Sequence, residues 1–528
     1  MLKSSVLVVT ILAACSDPPV TLAPTDPTTL EPTLDALAAF GEKRAGSTAG
    51  QMAAMYIQGK FADLGLTDIH TESFHFPRWQ LMDKSFSVTI DGVTTTPGFD
   101  VFEAAGAGTV DALVVDAGTA TPGDLQNLDL TGKIALVRRD QSYHRSTQLK
   151  NVREAGAVAM LYLSVAPQNL RQVGSVRYDW ETDDALPAIT IGADDGKLIT
   201  DALAAQKPVT VHIGVSEMSA PGTGTNVIAK IQGEVDEQIV MGAHYDTWFT
   251  GSSDNSSGIA ELLEVAHRRV QRASGSRPHY TLVFVAYDGE EIGLYGGYDY
   301  YRKHAIVGKE RLLAVMNFEC PSAIDPDIAA VVHSNQPKLD AALQAAHLRQ
   351  IYSAYAGLEI VAMLFGGIIP TDIQGDYRSG TPTVTTAVTN PYYHTMMDTP
   401  ATVDLPLLGQ SIDGFDDAIT NIDKLAATDL DVQDPALWQA EATLAPSGPI
   451  SASVIVKDAN GVPQPNAIVK LAYLTDDFTL AERATGTTDA NGTATVTLTT
   501  SDRSAPNSFV HVTAGPIYPL VEKILPAN

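Results

Sequence analysis

Histidines and carboxylates fall in this chain at points where an apolar run gives way to small or polar residues. They occupy five segments in order: His244-Tyr-Asp246, Asp254-Asn-Ser-Ser-Gly258, Glu290-Glu291, Glu319 and His394. Imidazole nitrogens and carboxylate oxygens are donors that zinc takes. Two imidazoles, one carboxylate able to bridge, two further carboxylates and a spare Glu are what a pair of zinc ions and a general base require. The chemistry would be metal-assisted hydrolysis. A His-x-Asp pair or a Glu-Glu pair alone is as readily a surface feature, so the ordered set carries the reading.

The flanks say how these residues are positioned. Gln238-Ile-Val-Met-Gly-Ala-His244 is an apolar run with small residues at its end, which predicts a buried parallel strand. His244 then emerges at the strand's C-terminal end, where open α/β sheets place ligands. Asn255 onward predicts a helix, with Asp254 at its positive end. Tyr280–Tyr287 predicts a second strand leading to Glu290-Glu291, and Leu312–Phe318 a third leading to Glu319. Three strand ends converge on one place.

With these flanks the chain resembles the co-catalytic zinc exopeptidase family of bacterial leucyl aminopeptidases, glutamate carboxypeptidase II and the transferrin receptor ectodomain. The resemblance spans roughly residues 30–430. It rests on Gly-Ala-His244-Tyr-Asp246, Asp254-Asn-Ser-Ser-Gly258, Asp288-Gly-Glu290-Glu291-Ile-Gly-Leu and Tyr393-His394-Thr-Met-Met-Asp398-Thr. It implies that Asp254 bridges two zincs, with His244 and Glu319 on one and Glu291 and His394 on the other. It implies further that Glu290 is the general base, that Asp246 orients His244, and that Tyr393 hydrogen-bonds the oxyanion. The family more often has Asp where this chain has Glu319.

The other candidates have simpler readings. His267 lies in a basic helix end, and His279, His304 and His333 lack motif flanks. Arg378 fits a pairing with a neighbouring acid better than a grip on a substrate carboxylate. Cys320 reads as a small buried filler. Trp248, Phe249, Phe365, Ile368 and Ile369 are available for an apolar side-chain pocket or for core packing.

At 528 residues several domains are expected, and a formal charge of −28 excludes attraction to nucleic-acid phosphates. Residues 1–15 read as a lipoprotein signal. Met1-Leu-Lys is a basic start, the following apolar stretch is too short to span a bilayer, and Leu12-Ala-Ala-Cys15 places the lipidated cysteine at the mature N-terminus. The expected location is that of an exported bacterial lipoprotein, at the outer membrane and periplasm or the cell surface, touching membrane through its lipid anchor alone. Residues 16–32, rich in Pro, Thr and Asp, read as a disordered tether.

The fold expected is α/β: a mixed-sheet peptidase domain in two parts, 33–97 and 217–445, interrupted by an insert over 98–216. Asp129-Leu-Thr-Gly-Lys-Ile-Ala-Leu-Val-Arg138, Ala155-Gly-Ala157 and Leu186-Pro-Ala188 make that insert resemble a protease-associated domain. From 446 to 528 the pattern becomes alternating strands with two Asp-Ala-Asn-Gly turns, which predicts an immunoglobulin-like β-sandwich. A chain ending near Ala445 is therefore expected to fold and work without it.

These readings imply a zinc-dependent aminopeptidase acting on peptides with a free N-terminus, whose α-amine suits the acidic rim. A carboxypeptidase or dipeptidase on the same scaffold is the alternative. A glutaminyl cyclase-like enzyme or a non-catalytic binding protein fits less well, because both zinc sites and Glu290 are intact.

Overall fold

The protein is described by a computed structural model that covers residues 22–140, 143–177, 185–323, 330–348, 357–387 and 390–528. Cys15 and the signal-like segment lie outside the described residues.

Strands β1 (Thr67–Ile90), β2 (Val93–Thr95), β3 (Phe99–Val101), β4 (Gly108–Asp116), β5 (Ile134–Arg138), β6 (Ala159–Leu163) and β7 (Ala188–Ile191) come first. Strands β8 (Val209–Ile231), β9 (Val235–His244), β10 (Tyr280–Tyr287), β11 (Leu312–Asn317), β12 (Ala330–His333) and β13 (Thr383–Ala387) complete a mixed sheet of 13 strands. Its order is β12-β13-β11-β9-β10-β8-β4-β5-β6-β7-β3, with β1 paired to β8 and β2 to β1.

The middle of that sheet positions the site. β9 runs parallel to both β10 and β11. Ile239, Met241 and Ala243 face one core, and Val240 faces the other. Burial on both faces is why the run is apolar without alternation. Gly242 breaks it for a local reason: a Cβ there would lie 2.2 Å from the Tyr287 ring on β10. The helices Ser257–Ala273 and Leu405–Ile422 cover one face.

β1 and β8 pair along almost their whole lengths, from Thr67↔Lys230 to Ile90↔Val209. Strands of this length span about 75 Å. β8 meets β10 at one end and β4 at the other, running through residue 216 without a break. The sequence suggests only the first third of β1 as a strand. Arg78–Ile90 mixes polar and apolar residues too evenly to declare which surface it pairs with.

Residues 22–30 correct the expectation of a disordered tether. Asp26 caps a short turn at Pro27–Thr29. Thr25 donates to Asp413 through its amide at 3.0 Å and its hydroxyl at 2.7 Å, and Leu30 is buried in the core. Pro, Thr and Asp serve here as turn and cap formers.

The C-terminal sandwich also starts earlier than expected. β14 (Gln439–Leu444) pairs with β15 (Ser451–Lys457), which pairs with β18 (Thr493–Thr497). The facing sheet has β16 (Ile468–Leu474), β17 (Leu480–Thr487), β19 (Phe509–Gly515) and β20 (Val521–Pro526) in the order β17-β16-β19-β20. The module is not a free appendage. Phe478, Phe509 and Ile524 share a buried cluster with Phe74, Tyr295 and Tyr298. Buried Glu522 accepts from Tyr298 at 3.0 Å and from Gln374 at 2.8 Å.

One core carboxylate outside the site makes a stability prediction. Glu261 is fully buried, its carboxyl accepting a hydrogen bond from Ser411 at 2.8 Å, and burial pushes its pKa up to about 8. The folded pKa lies above the unfolded one. The contribution to stability is therefore fully present below about pH 4.5 and is lost as pH rises towards 8. Glu261→Gln should be more stable than wild type at pH 8, on the order of a few kcal/mol, with the gap closing towards pH 5. Melting curves that stay parallel across that range would refute the argument.

Candidate active site

The five segments meet at the C-terminal ends of β9, β10 and β11. His244 ends β9, Glu290 and Glu291 follow β10, and Glu319 follows β11 by two residues. Asp254 and His394 come from loops. Asp254 and Asn255 have non-helical backbone angles, so the regular helix begins at Ser257 rather than at Asn255. Asn255 is used as a pin. Its side-chain amide donates to the Phe318 carbonyl at 2.8 Å, and its oxygen accepts from the Gly258 and Cys320 amides at 3.1 Å. The loop carrying Asp254 is thereby fixed to the segment carrying Glu319. Gly258 is required at this junction, since a Cβ would meet the Phe318 oxygen at 2.2 Å.

Asp254 divides its oxygens between the two histidines. Oδ1 lies 3.3 Å from His244 Nε2, and Oδ2 lies 3.0 Å from His394 Nε2. Glu319 Oε1 is 3.2 Å from His244 Nε2, and Glu291 Oε2 is 3.1 Å from His394 Nε2. Two donor sets result, His244–Asp254–Glu319 and Asp254–Glu291–His394, each with ligand atoms within 4.8 Å of one another. Glu290 belongs to neither, with Oε2 3.9 Å from His244 Nε2.

The neighbours fix each imidazole. His244 Nδ1 is 2.9 Å from the Asp246 carbonyl, and His394 Nδ1 is 3.0 Å from the Val173 carbonyl. In each ring a proton on Nδ1 leaves Nε2 to face the carboxylates. The Asp246 carboxylate is 3.6 Å from His244 Nδ1. It accepts instead from the Glu290 amide at 3.1 Å and the Glu291 amide at 3.2 Å. It is thus the Asp246 carbonyl that faces the ring, while the carboxylate clamps the two glutamates.

Electrostatics argue for cations. Burial pushes the Glu290 carboxyl far above its ordinary range, and raises Glu291 as well. Burial lowers the His244 pKa, yet Glu319 and Glu290 outweigh it and hold that histidine well above its ordinary value. For Asp254 burial acts upward, but the two imidazoles overcome it and hold the carboxyl below the ordinary range. Among the described residues, buried His394 Nε2 and Glu291 Oε1 find no hydrogen-bond partner. Carboxylates and imidazoles packed this way, with orphaned donor atoms, fit divalent zinc.

Residues 226–417 match the model of peptidase family M28, and residues 104–199 match that of the PA domain. This segment belongs to peptidase family M28. A glutamate carboxypeptidase 2 homolog of Caenorhabditis briggsae is 39% identical over 99 residues, 18% of this chain and 13% of that protein. Carboxypeptidase Q of Mus musculus is 24% identical over 285 residues, 50% of this chain and 59% of that protein. The matched stretches therefore span less than two thirds of these relatives. The structure of BSAP, a zinc aminopeptidase from Bacillus subtilis, superposes with a TM-score of 0.57 at 19% identity, over 77% of this chain and 98% of that one. That likeness shows a shared fold.

Other residues around the site support it in ways sequence reasoning missed. Asp398 accepts from the Ser253 amide at 2.8 Å and the Asp254 amide at 3.1 Å, fixing the bridging candidate. Its position four residues past His394 was the available signal. Asp372 is buried beside the site, and burial raises its pKa strongly. Lys43 is fully buried and donates to the Thr250 carbonyl at 2.8 Å; burial lowers its pKa to about 8. Trp248 does more than offer an apolar wall, since its indole donates to Glu291 Oε2 at 2.6 Å.

The remaining candidates disperse. Tyr393 stacks on His394 with ring centroids 3.7 Å apart. Burial raises its pKa, so the phenol stays protonated and able to donate. Arg378 is fully buried and pairs with Glu359 at 2.8 Å. Cys320 is buried beside Glu319, and burial raises its thiol pKa well above the ordinary value. Ile369 packs in the core, Phe365 lies near His144 of the PA domain, and Phe249 and Ile368 are half-buried. His267 sits near Glu264, His279 near Glu234, His304 between Glu72 and Glu310, and His333 near Asp340.

Proposed function

We propose that this chain is a zinc-dependent aminopeptidase that holds two zinc ions and releases N-terminal residues from peptides. The observation that carries this is the division of Asp254 between two histidine-centred donor sets, with Glu290 beside them and outside both. His244 and Glu319 would hold one zinc, Glu291 and His394 the other, and Asp254 both. Zinc bound there supplies Lewis acidity that lowers the pKa of water and polarises a carbonyl.

The protein's own groups do the rest. Glu290 takes a proton from the attacking water and passes it to the leaving amine. Burial raises the affinity of its carboxylate for that proton. The Tyr393 hydroxyl donates to the developing oxyanion. Asp246, through the Glu290 and Glu291 amides, keeps the base and a ligand in register.

A second reading, carboxypeptidase or dipeptidase action, draws on a specific observation. Arg139 of the PA domain lies over the Tyr393 ring at 4.9 Å, and the buried Arg145 belongs to the same domain. Cations on that side suit a substrate carboxylate. Peptides blocked at one end or the other separate the two. N-acetylation should abolish cleavage and C-terminal amidation should not; the reverse pattern would establish the second reading. Chelation should remove about two zincs per chain together with activity, and zinc should restore both. Active protein devoid of transition metal would refute the assignment.

A further inference from the structure

The two donor sets differ in who holds them. His244 rests on the Asp246 carbonyl, and Glu319 accepts from Asn317 Nδ2 at 3.1 Å while its amide donates to Thr386 Oγ1 at 2.6 Å. Every one of these partners lies in the M28 domain. The other set has partners there too, Asp398 on the Asp254 amide and Asp246 on the Glu291 amide, but it is also held from outside that domain.

Two chains of contact reach that set from one patch of the PA domain. The first is a two-way clamp on the His394 loop. His394 Nδ1 donates to the Val173 carbonyl and the Val173 amide donates back to the His394 carbonyl, both at 3.0 Å. Gln172 Nε2 adds a bond to the Tyr393 carbonyl at 3.2 Å. The second chain reaches Glu291. Buried Glu103 pairs with Arg44, whose guanidinium lies 4.1 Å over the Trp248 ring, and the Trp248 indole donates to Glu291 Oε2. Both chains begin together. The Glu103 amide donates to the Gly174 carbonyl, and the Val176 amide donates to the Glu103 carbonyl, each at 3.0 Å. Arg145 braces the patch by donating to the Ser175 carbonyl at 2.6 Å.

We infer that docking of the PA domain sets zinc affinity at the Asp254–Glu291–His394 position and leaves the His244–Asp254–Glu319 position untouched. Glu103, Gln172, Val173, Arg44 and Trp248 are positioning residues. An imidazole held by a carbonyl and a carboxylate held by an indole have fewer wrong orientations to sample, and partners of this kind contribute 10- to 100-fold to metal affinity. The two positions therefore fill unequally in any state where the patch loosens, and a ligand that moved the PA domain would act on one zinc.

The inference rests on the two-zinc reading, and the test keeps the two apart. Full-length metal-free protein is titrated with zinc against a chromophoric chelator. Wild type should show two equivalents. Trp248→Phe, which keeps the ring and removes the indole donor, should weaken one step about 10- to 100-fold and spare the other. Glu103→Gln combined with Gln172→Ala should weaken that same step, and excess zinc should restore full occupancy. Asn317→Ala, beside Glu319, should move the other step. Melting temperatures of the metal-free variants should match wild type. Two equivalents in wild type with both steps unmoved in the PA-patch variants, or both moved alike, would overturn the inference alone. A single equivalent in wild type would overturn the two-zinc reading and this inference with it.

Discussion

Glu290→Gln is expected to fold, to bind zinc as wild type does, and to lose about 10²–10⁴-fold in turnover. The expectation follows from where the side chain stands. Its amide is clamped by Asp246 Oδ1 at 3.1 Å, so replacing the carboxylate does not release the backbone. Its side chain is buried and lies in neither donor set, so the metal positions keep all their ligands. What is lost is the ability to hold a proton between attack and departure of the leaving amine. Burial alone raises its pKa, and the nearby Glu319 and Glu291 raise it further against the pull of His244. A neutral amide cannot take that role at any pH. Steady-state kinetics on a free-amine substrate, with zinc measured on the same samples, give the answer. Wild-type turnover with full zinc would exclude Glu290 as the base. Lost zinc would assign it to the metal instead.

The second large effect concerns the C-terminal sandwich. A chain ending at Leu437, the last residue of the peptidase core cluster, should fail to yield a stable monomer. The cut strips Phe478, Phe509 and Ile524 from the cluster that buries Tyr295 and Tyr298. Each such side chain contributes about 1.5–3 kcal/mol by burial. The cut also removes the Glu522 carboxylate from Tyr298 and Gln374, and Asp476 and the Asn507 carbonyl from Arg302. Arg302 would keep only its Asp299 partner from this group, and each hydrogen bond to a charged group lost here removes about 1.5–3 kcal/mol more. Domains hold only about 5–15 kcal/mol in total. Size-exclusion chromatography and near-ultraviolet circular dichroism would show aggregation or lost tertiary packing. A monomeric truncation melting at the wild-type temperature would show that the module is dispensable after all, as its sequence suggests.

That contrast marks what the chain discloses of itself. The strands that carry the site are legible because β9, β10 and β11 are buried on both faces, so their residues form unbroken apolar runs ending at chemistry-bearing side chains. The same holds for most of the PA domain's short strands. Legibility fails where a residue's meaning depends on a distant partner. Asp398 reads as a motif flank until its carboxylate is seen on the Ser253 and Asp254 amides. Trp248 reads as apolar lining until its indole meets Glu291. Nothing in Gln172-Val173 announces a clamp, because its bonds to the His394 loop are largely made by the backbone, which every residue shares. The boundary of the sandwich was misplaced for a related reason. Gln439–Leu444 alternates, but alanine fills two of its three apolar positions and gives the pattern little hydrophobic weight; its pairing with Ser451–Lys457 makes the Pro446–Pro449 stretch a hairpin turn.

The paired strands β1 and β8 also bear on the order in which the molecule assembles. They form a stem, and the roughly 120 residues between Ile90 and Val209 are the loop it closes. Closing an unstructured loop of that length costs about 4 kcal/mol of chain entropy. A PA domain that has already condensed brings β3, β4 and β7 together and carries most of that cost before the stem zips. The C-terminal end of β8 then presents an edge on which β10 can pair, with β9 and β11 added beyond it. On a growing chain β8 leaves the ribosome before β9, β10 and β11. The insert that interrupts the peptidase in the gene would thus be the template on which the peptidase sheet is built.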